Sequence, residues 1–288
     1  MKLFSKLSLI FKLNIICLLL VVPFSKALCD LPPLPPPMMV IPSPPSLGAK
    51  AHLLIDYLSD VMLSQENIDQ RVEPASLTKM MTVYVADQTL KAGKLKLNDN
   101  VFISEAAWKA PGSRMFLKVN TTVPLQDILR GVIIQSGNDA SIALAEHVAG
   151  TEANFAEWMN YYAKQLGMAN THFVNATGLP DPNHYTTARD MAILAKALIR
   201  DFPESYQLYS QKEFTYQKIT QANRNRLLWR NEWVDGIKTG HTDSAGYCLV
   251  ASGKKGDMRL IAIVMGAKND EARVDEANKL LMYGFRFF

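Results

Sequence analysis

Short apolar runs bounded by turn residues predict β-strands near both ends of the chain. Residues 51–57 and 61–64 flank the turn Leu58-Ser59-Asp60, which predicts a hairpin. Further strands are predicted at residues 213–217, 234–238, 247–252 and 259–265, followed by a helix at 270–283. Most of the predicted sheet therefore comes from the C-terminal part of the chain.

The middle of the chain follows the 3.6-residue period of amphipathic helices. Helices are predicted at residues 76–90, 125–134, 140–148, 154–166 and 187–200, with one short strand at 101–103. Residues 171–187 are rich in Gly, Pro, Asn and Asp and predict a long irregular loop, a feature that is usually functional. Strands at both ends and helices between them predict one α/β domain whose sheet joins the two ends, with an inserted all-helical lobe.

Residues 1–27 are predicted to be a secretory signal peptide. Three lysines precede the apolar run 15–22, and small residues at 25 and 27 suit signal peptidase. An uncleaved anchor is the alternative, although the run is shorter than the roughly 20 residues of a membrane span. Lipid attachment at Cys29 is disfavoured by the bulky Leu28. We therefore expect export to the periplasm, with association to the outer face of the inner membrane left open.

Residues 28–50 are predicted to be an extended linker, because eight prolines lie between positions 32 and 45. A docking site for a Pro-binding module is the alternative. The folded domain is then expected to cover residues 51–288.

Charge and cysteine content exclude several classes of function. Of 31 basic residues four lie in the predicted signal peptide, which leaves 27 against 27 acidic residues and no basic excess for a nucleic-acid partner. Cys248 is the one cysteine inside the predicted domain, so a disulfide framework is excluded there. The five histidines form no short-spaced pair with one another or with cysteine, and we predict neither a metal site nor a cofactor.

The chemistry is predicted to centre on Ser76 and Lys79 at the start of the first long helix. Three residues apart on a helix, they share a face, so the lysine amine can reach the serine oxygen. Pro74 suits the first helical turn, where the free N–H groups and the helix dipole favour negative charge beside the serine. The same S-x-x-K spacing recurs at Ser252 and Lys255, where a Gly-rich turn between apolar runs predicts a solvated hairpin tip.

Two further motifs indicate that the S-x-x-K match at Ser76 and Lys79 is not a chance occurrence. Ser136-Gly137-Asn138 lies in a break between two helices, and Lys238-Thr239-Gly240 lies at the end of a late strand. The order S-x-x-K, S-x-N, K-T-G is the set found in penicillin-binding proteins and β-lactamases. With Asn223-Arg224-Asn225 and the stretch 235–243, the chain resembles the D-alanyl-D-alanine carboxypeptidases, the low-molecular-mass penicillin-binding proteins of the 5 and 6 type.

The resemblance implies a DD-peptidase/β-lactamase-like fold with an antiparallel sheet flanked by helices. It also implies a serine carboxypeptidase that removes the terminal D-alanine of peptidoglycan stem peptides and is acylated by β-lactams. Ser76 would attack the D-Ala-D-Ala carbonyl, and Lys79, kept neutral by burial and by the charge of Lys238, would accept its proton. Ser136 would pass a proton to the leaving D-alanine, although a serine before a helix is also a common cap.

The substrate contacts implied by the resemblance are those of Asn138, Lys238, Thr239, Gly240, His241, Arg224 and Arg273. Asn138 would hold the substrate backbone or Lys79. The oxyanion would lie between the backbone N–H groups of Ser76 and His241. Lys238 and Thr239 would bind the terminal carboxylate, and Arg224 would order the lobe near Lys238. Arg273 would assist Lys238, or would lie on a solvated helix face.

Three alternatives remain open at this point. A DD-endopeptidase that cleaves cross-links would use the same residues. A class A β-lactamase would need a glutamate in the loop before the late strands, and residues 167–187 contain none. A penicilloyl-binding module without catalysis is the third. Relatives of this type commonly continue into a β-rich domain and an amphipathic helix, whereas the sequence stops at Phe288. Residues 51–288 thus contain no C-terminal β domain. Either the protein lacks these parts or the sequence is a fragment, and membrane attachment stays open.

Overall fold

The computed structural model describes residues 41–288. The predicted signal peptide and residues 28–40 of the predicted linker lie outside the described residues. Residues 42–288 form one compact unit. The end of the predicted linker packs against it, because the Tyr283 hydroxyl donates to the Pro42 carbonyl at 2.8 Å and the Gly48 N–H donates to Glu276 at 3.1 Å.

An antiparallel five-stranded sheet joins the two ends of this unit, as predicted. Its strands are β1 (Ala51–Asp56), β2 (Met62–Glu66), β7 (Val234–Thr242), β8 (Gly246–Lys255) and β9 (Met258–Ala267), in the order β2-β1-β9-β8-β7. The fold class expected from the sequence is confirmed by this sheet and the helices around it. The strand that carries the K-T-G motif lies at one edge of the sheet.

Four short strands form two separate two-stranded sheets outside the main sheet. These are β3 (Asn100–Phe102) with β4 (Thr122–Pro124), and β5 (Glu213–Tyr216) with β6 (Ile219–Ala222). The strand predicted at 213–217 therefore exists but pairs with its immediate neighbour instead of the large sheet. Alternation predicts a strand without naming its partner, and the two-residue turn at 217–218 lets β5 pair locally.

Helices cover both faces of the main sheet. They are α1 (Lys79–Lys91), α2 (Glu105–Lys109), α3 (Leu125–Ile133), α4 (Asn138–Ala149), α5 (Glu152–Leu166), α6 (Ala188–Asp201), α7 (Pro203–Tyr206), α8 (Leu227–Arg230) and α9 (Asp270–Phe287). Side-chain caps start the later helices where the pattern predicts them: Thr187 Oγ1 accepts from the Asp190 N–H at 3.1 Å, and Asn269 Oδ1 accepts from the Ala272 N–H at 2.8 Å.

The core consists of two clusters of buried apolar side chains separated by the sheet. Successive strand residues point to opposite faces, so Leu53 contributes to one cluster and Leu54 to the other. The larger cluster includes side chains from α1 and α3–α6, and the smaller one includes side chains from α8 and α9. Within residues 41–288 no helix combines the length and apolar character needed to cross a bilayer.

The second S-x-x-K match lies inside β8. Ser252 is fully buried, and its hydroxyl accepts a hydrogen bond from Arg259 at 2.6 Å, while Lys254 and Lys255 are exposed. The solvated hairpin tip predicted there is wrong for the serine, because β8 continues to Lys255 and the turn follows it. This serine belongs to the sheet.

Candidate active site

Ser76 lies on a short 3-10 helix, Ala75–Thr78, that leads into α1. The helix predicted from residue 76 therefore begins with a tighter turn, which is common at helix starts. Ser76 opens onto a cleft of about 360 Å³. The cleft is lined by Ser76, Gly112, Ser113, Asn138, Thr177, Gly178, Leu179, Arg224, His241 and Thr242. Strand β7, the break before α4 and the loop 171–187 thus meet at the predicted nucleophile.

Two glycines allow the backbone to approach this serine closely. A Cβ on Gly240 would lie 2.9 Å from the Pro74 carbonyl oxygen and 3.1 Å from the Ser76 nitrogen. A Cβ on Gly178 would lie 1.8 Å from the Ala75 carbonyl oxygen. The third motif therefore needs its glycine for steric reasons, and the loop 171–187 packs directly on the residue before the nucleophile.

We predict that Gly178→Ala destabilises the protein far more than Gly167→Ala. Both glycines have φ near +80° (+82° and +84°), so both substitutions carry the left-handed backbone penalty of about 1 kcal/mol. Only at Gly178 does the added carbon also meet backbone, which should raise the loss to about 3 kcal/mol or more. Urea unfolding of both variants measures the difference, and equal losses would contradict the steric account.

Lys79 is buried beside Ser76 and is held by three oxygen atoms. Only 1% of the residue is exposed. Its Nζ lies 3.0 Å from Ser76 Oγ, 2.7 Å from Asn138 Oδ1 and 2.6 Å from the Thr177 carbonyl oxygen. The base and the nucleophile predicted from the S-x-x-K motif are therefore within hydrogen-bond distance.

The partners of Lys79 account for each of its protons. The Asn138 amide nitrogen donates to the Pro111 carbonyl at 2.6 Å, so its oxygen faces Lys79 as an acceptor. The Thr177 carbonyl is also an acceptor only. A neutral amine has two N–H groups, which these oxygens take, and its lone pair is left for the Ser76 hydroxyl. The arrangement thus directs the serine proton toward Lys79.

Burial, the largest cause, and the charge of Arg224 lower the pKa of Lys79 to about 7, against the opposing charges of Asp139 and Glu152. The sequence predicted that the charge of Lys238 lowers the Lys79 pKa, but the cation that does so is Arg224. Burial lowers the pKa of Lys238 well below its usual value, with the charge of Lys79 contributing. At neutral pH about half of the Lys79 amines carry the lone pair that a base needs.

We predict that the rate of acylation rises with pH through a midpoint near 7. Only neutral Lys79 can accept the serine proton, and the neutral fraction grows as pH rises through the pKa. At pH 6 the rate should be about a tenth of its value at high pH. Second-order acylation rates with a penicillin between pH 5 and 9 provide the measurement. A rate that is flat from pH 6 to 9 would contradict a lysine base.

Ser136 occupies the break between α3 and α4 with its backbone in the left-handed region, at φ +59°. The residue is 2% exposed, and its hydroxyl has no hydrogen-bond partner among the described residues. The cap interpretation is wrong, because the N-cap of α4 is Gly137 and no side chain caps that helix. Ser136 does not line the cleft. Its hydroxyl is left without a structural hydrogen bond.

Residues 238–241 lie at the end of β7, beside the serine. Lys238 is 2% exposed, and its Nζ donates to the Thr239 carbonyl at 3.0 Å. Thr239 is also buried. His241 is exposed, lines the cleft and stacks on Tyr247 with ring centres 4.0 Å apart. The motif therefore contributes two buried polar residues next to the cleft residue His241, whose ring lines the cleft.

The two arginines differ in position. Arg224 lines the cleft, and its Nε donates to the Gln135 carbonyl at 3.0 Å, which ties it to the break before α4. Arg273 is only 6% exposed, so the solvated-face alternative is wrong. Its guanidinium donates to the Gly240 carbonyl at 2.9 Å and pairs with Asp270. Arg273 is not among the residues that line the cleft, and it contacts β7 through the Gly240 carbonyl.

Several cleft residues had no signal in the sequence. The Thr177 carbonyl contacts Lys79, and the Ser113 carbonyl accepts from the Asn138 N–H at 2.7 Å. Arg224 was a candidate from its motif, but the effect of its charge on Lys79 was not predicted. The irregular composition of residues 171–187 indicated a functional loop without naming the atom used. Within residues 41–288, no group of three or more His, Cys, Asp and Glu residues is placed to hold a metal ion.

Comparisons with known proteins agree with this geometry. The family model of the S11 peptidases, described as D-alanyl-D-alanine carboxypeptidase, matches residues 38–269. The D-alanyl-D-alanine carboxypeptidase DacC of Escherichia coli K12 is 54% identical over 251 residues, which are 85% of this chain and 63% of that protein. The chain thus spans less than two thirds of this relative.

Solved structures show the same fold. Penicillin-binding protein 5 from Haemophilus influenzae aligns with a TM-score of 0.83 and 51% identity, over 85% of this chain and 73% of that one. Penicillin-binding protein D2 from Listeria monocytogenes, in its ampicillin-bound form, aligns with a TM-score of 0.78 and 29% identity, over 85% of this chain and all of that one.

Proposed function

Because the chain belongs to the S11 peptidase family of D-alanyl-D-alanine carboxypeptidases, we propose that it removes the terminal D-alanine from peptidoglycan stem peptides through an acyl-enzyme on Ser76. The observation that carries the proposal is the buried Lys79 amine, which lies 3.0 Å from Ser76 Oγ and gives its N–H groups to two carbonyl oxygens. This geometry suits acyl transfer by an activated serine.

In the acylation step, neutral Lys79 takes the proton of the Ser76 hydroxyl as Oγ attacks the carbonyl carbon of the D-Ala-D-Ala bond. The negative charge that forms on the carbonyl oxygen is stabilised by the backbone N–H groups of Ser76 and His241. Donors of this kind contribute about 3 kcal/mol each to lowering the barrier. The close approach of Gly240 to the Ser76 nitrogen supports this placement, because it brings the end of β7 to the serine backbone.

The tetrahedral intermediate then breaks its C–N bond. The leaving nitrogen takes a proton that Lys79 received, relayed by the Ser136 hydroxyl, and D-alanine departs. The orphaned, buried hydroxyl of Ser136 supports the relay, because a serine with no structural hydrogen bond is free to donate in one direction and accept in the other. Water next attacks the ester, with Lys79 accepting its proton, and Ser76 is regenerated.

The terminal carboxylate of the substrate is held by Lys238 and Thr239 on β7. Lys238 and Thr239 lie three and two residues before His241, which supplies an oxyanion donor, and Arg224 adds positive charge to the cleft wall. A carboxylate bound there would raise the pKa of Lys238, because an opposite charge favours the ammonium form. Arg273 supports this strand through the Gly240 carbonyl.

β-Lactams are proposed to acylate Ser76 and to leave slowly. No aspartate or glutamate is among the described residues that line the cleft, so a carboxylate base for rapid hydrolysis of the penicilloyl ester is missing there. Glu152 is engaged elsewhere, accepting from the Ala176 N–H at 2.9 Å. The ampicillin-bound form of the Listeria monocytogenes relative supports binding of this drug class.

Export to the periplasm fits a peptidoglycan substrate and follows from the predicted signal peptide. The partners proposed are therefore the D-Ala-D-Ala end of the stem peptide, as substrate, and β-lactams, as covalent inhibitors.

Three assays on the purified protein test the proposal. We expect release of D-alanine from a stem pentapeptide, much slower cleavage of cross-linked dimers, and a stable adduct with benzylpenicillin. Faster cleavage of dimers than of pentapeptide would assign an endopeptidase instead. Rapid turnover of benzylpenicillin would assign a β-lactamase, and an adduct without any peptide cleavage would leave a penicilloyl-binding module.

A further inference from the structure

The Thr177 carbonyl that contacts Lys79 belongs to a short segment, residues 174–178, which crosses the start of α1. The Thr82 hydroxyl donates to the Ala176 carbonyl at 2.8 Å, and Glu152 accepts from the Ala176 N–H at 2.9 Å. Asn175 Oδ1 accepts from the N–H groups of Thr177 and Gly178 at 3.1 and 2.7 Å. The segment is therefore held at its centre and end. Asn160 holds the backbone of the preceding residue, Phe173, through two hydrogen bonds of 2.8 Å, and Val174 has a separate restraint.

His184 supplies that restraint. Its Nδ1 lies 3.1 Å from the Val174 nitrogen, and its Nε2 lies 2.7 Å from Thr78 Oγ1. The ring is 2% exposed and packs edge-on against Phe173, with ring centres 5.6 Å apart. One imidazole thus bridges the start of the segment and the residue directly before Lys79.

The protonation state of this imidazole follows from its partners. The Val174 N–H can only donate, so Nδ1 must be the unprotonated acceptor. Nε2 then carries the hydrogen and donates to the Thr78 hydroxyl. A charged ring would place an N–H against the N–H of Val174. Burial lowers the pKa of His184 to about 4, which keeps the ring neutral over the range in which the enzyme would act.

We propose that His184 is a positioning residue, which locks residues 174–178 onto Thr78 so that the Thr177 carbonyl stays on Lys79 Nζ and water stays out. The proposal rests on the proposed role of Lys79 as the base. Without the bridge, water would replace the carbonyl as acceptor and would solvate the ammonium form. Because burial is the largest cause that lowers the Lys79 pKa, hydration should move that pKa upward.

The charged neighbours of both groups come from several elements. Lys79 faces Arg224 before α8, Asp139 on α4, Glu152 on α5 and Lys238 on β7. His184 faces Asp181 and His172 of its own loop, and Lys79. None of these charges is removed by a substitution at His184. A change in the pH profile of a His184 variant would therefore report the loosened segment.

The test compares His184→Ala with His172→Ala in the full chain, by intact-mass measurement of benzylpenicillin acylation between pH 5 and 9. His172 lies in the same loop but bonds to the Asn183 carbonyl and stacks on Tyr185. For His184→Ala we expect a midpoint about one pH unit higher and a rate at pH 7 lower by about fivefold, whereas His172→Ala should keep the wild-type midpoint. A wild-type profile for His184→Ala would overturn the proposal.

Two further variants and one spectrum keep the test decisive if His184→Ala fails to fold. His184→Asn keeps an acceptor near Val174, and His184→Gln keeps a donor near Thr78, so each should shift the midpoint by less than the alanine does. Imidazole ¹⁵N spectra of the wild-type protein should show His184 as the neutral Nε2–H form at pH 6. The opposite tautomer, or titration near 6.5, would overturn the proposal. A wild type that forms no adduct would refute the proposed function instead, and the spectrum would still decide the His184 tautomer.

Discussion

Ser76→Ala should abolish both D-alanine release and penicillin adduct formation, with a loss of about 10⁴-fold or more in the rate of peptide cleavage. The reason is chemical, because Ser76 supplies the one hydroxyl among the described contacts of Lys79 Nζ, and the amide and backbone oxygens beside it are not nucleophiles. The fold should survive, since the change removes one hydroxyl from a partly exposed side chain and Lys79 keeps its two carbonyl partners.

The second S-x-x-K serine provides the matched control for this substitution. Ser252→Ala also deletes one hydroxyl, but at a buried site in β8, where its partner Arg259 keeps the bidentate pair with Asp235. We expect Ser252→Ala to lose some stability and to keep its activity within about twofold. Loss of the penicillin adduct in Ser252→Ala, or its persistence in Ser76→Ala, would show that the assignment of Ser76 as the nucleophile is wrong.

Lys79→Arg should lower the acylation rate by about 10³-fold or more at pH 7. A guanidinium keeps the positive charge and the hydrogen-bond donors but stays protonated, so it has no lone pair for the Ser76 proton. Raising the pH to 9 should not restore the rate, in contrast to a lysine whose pKa is merely shifted. Acylation rates at pH 7 and pH 9, with a thermal unfolding curve to check the fold, provide the measurement.

Lys94→Arg is the control for the size and shape of the new side chain, because Lys94 is exposed on the surface. Its acylation rate should equal that of the wild type. If Lys79→Arg kept a tenth of the wild-type rate, another group would have to accept the serine proton, and the assignment of Lys79 as the base would be wrong.

The sheet could be predicted from the sequence because its strands carry their own signal. The β7, β8 and β9 strands have apolar runs bounded by turns, and antiparallel neighbours need only short connections. The partner of β5 could not be predicted in this way. A strand pattern gives the periodicity of its side chains but not the strand beside it, and β5 pairs with β6 outside the sheet.

The Ser76–Lys79 contact could be predicted because it is local. Three positions along one helix determine the distance, whatever the rest of the chain does. The acceptors that orient Lys79 could not be predicted, because the Thr177 carbonyl is a backbone atom 98 residues away and any residue type would supply it. The charge of Arg224 was equally hidden, since its effect depends on a distance that only the fold determines.

The central claim is an acyl-enzyme on Ser76, and one measurement tests it most directly. The wild-type protein is incubated with benzylpenicillin, its intact mass is recorded over time, and the adduct is located by peptide mass mapping. We predict a single, long-lived addition of one drug mass on the peptide that contains Ser76. An adduct on any other residue, or a wild-type protein that neither forms an adduct nor releases D-alanine from a pentapeptide, would contradict this account.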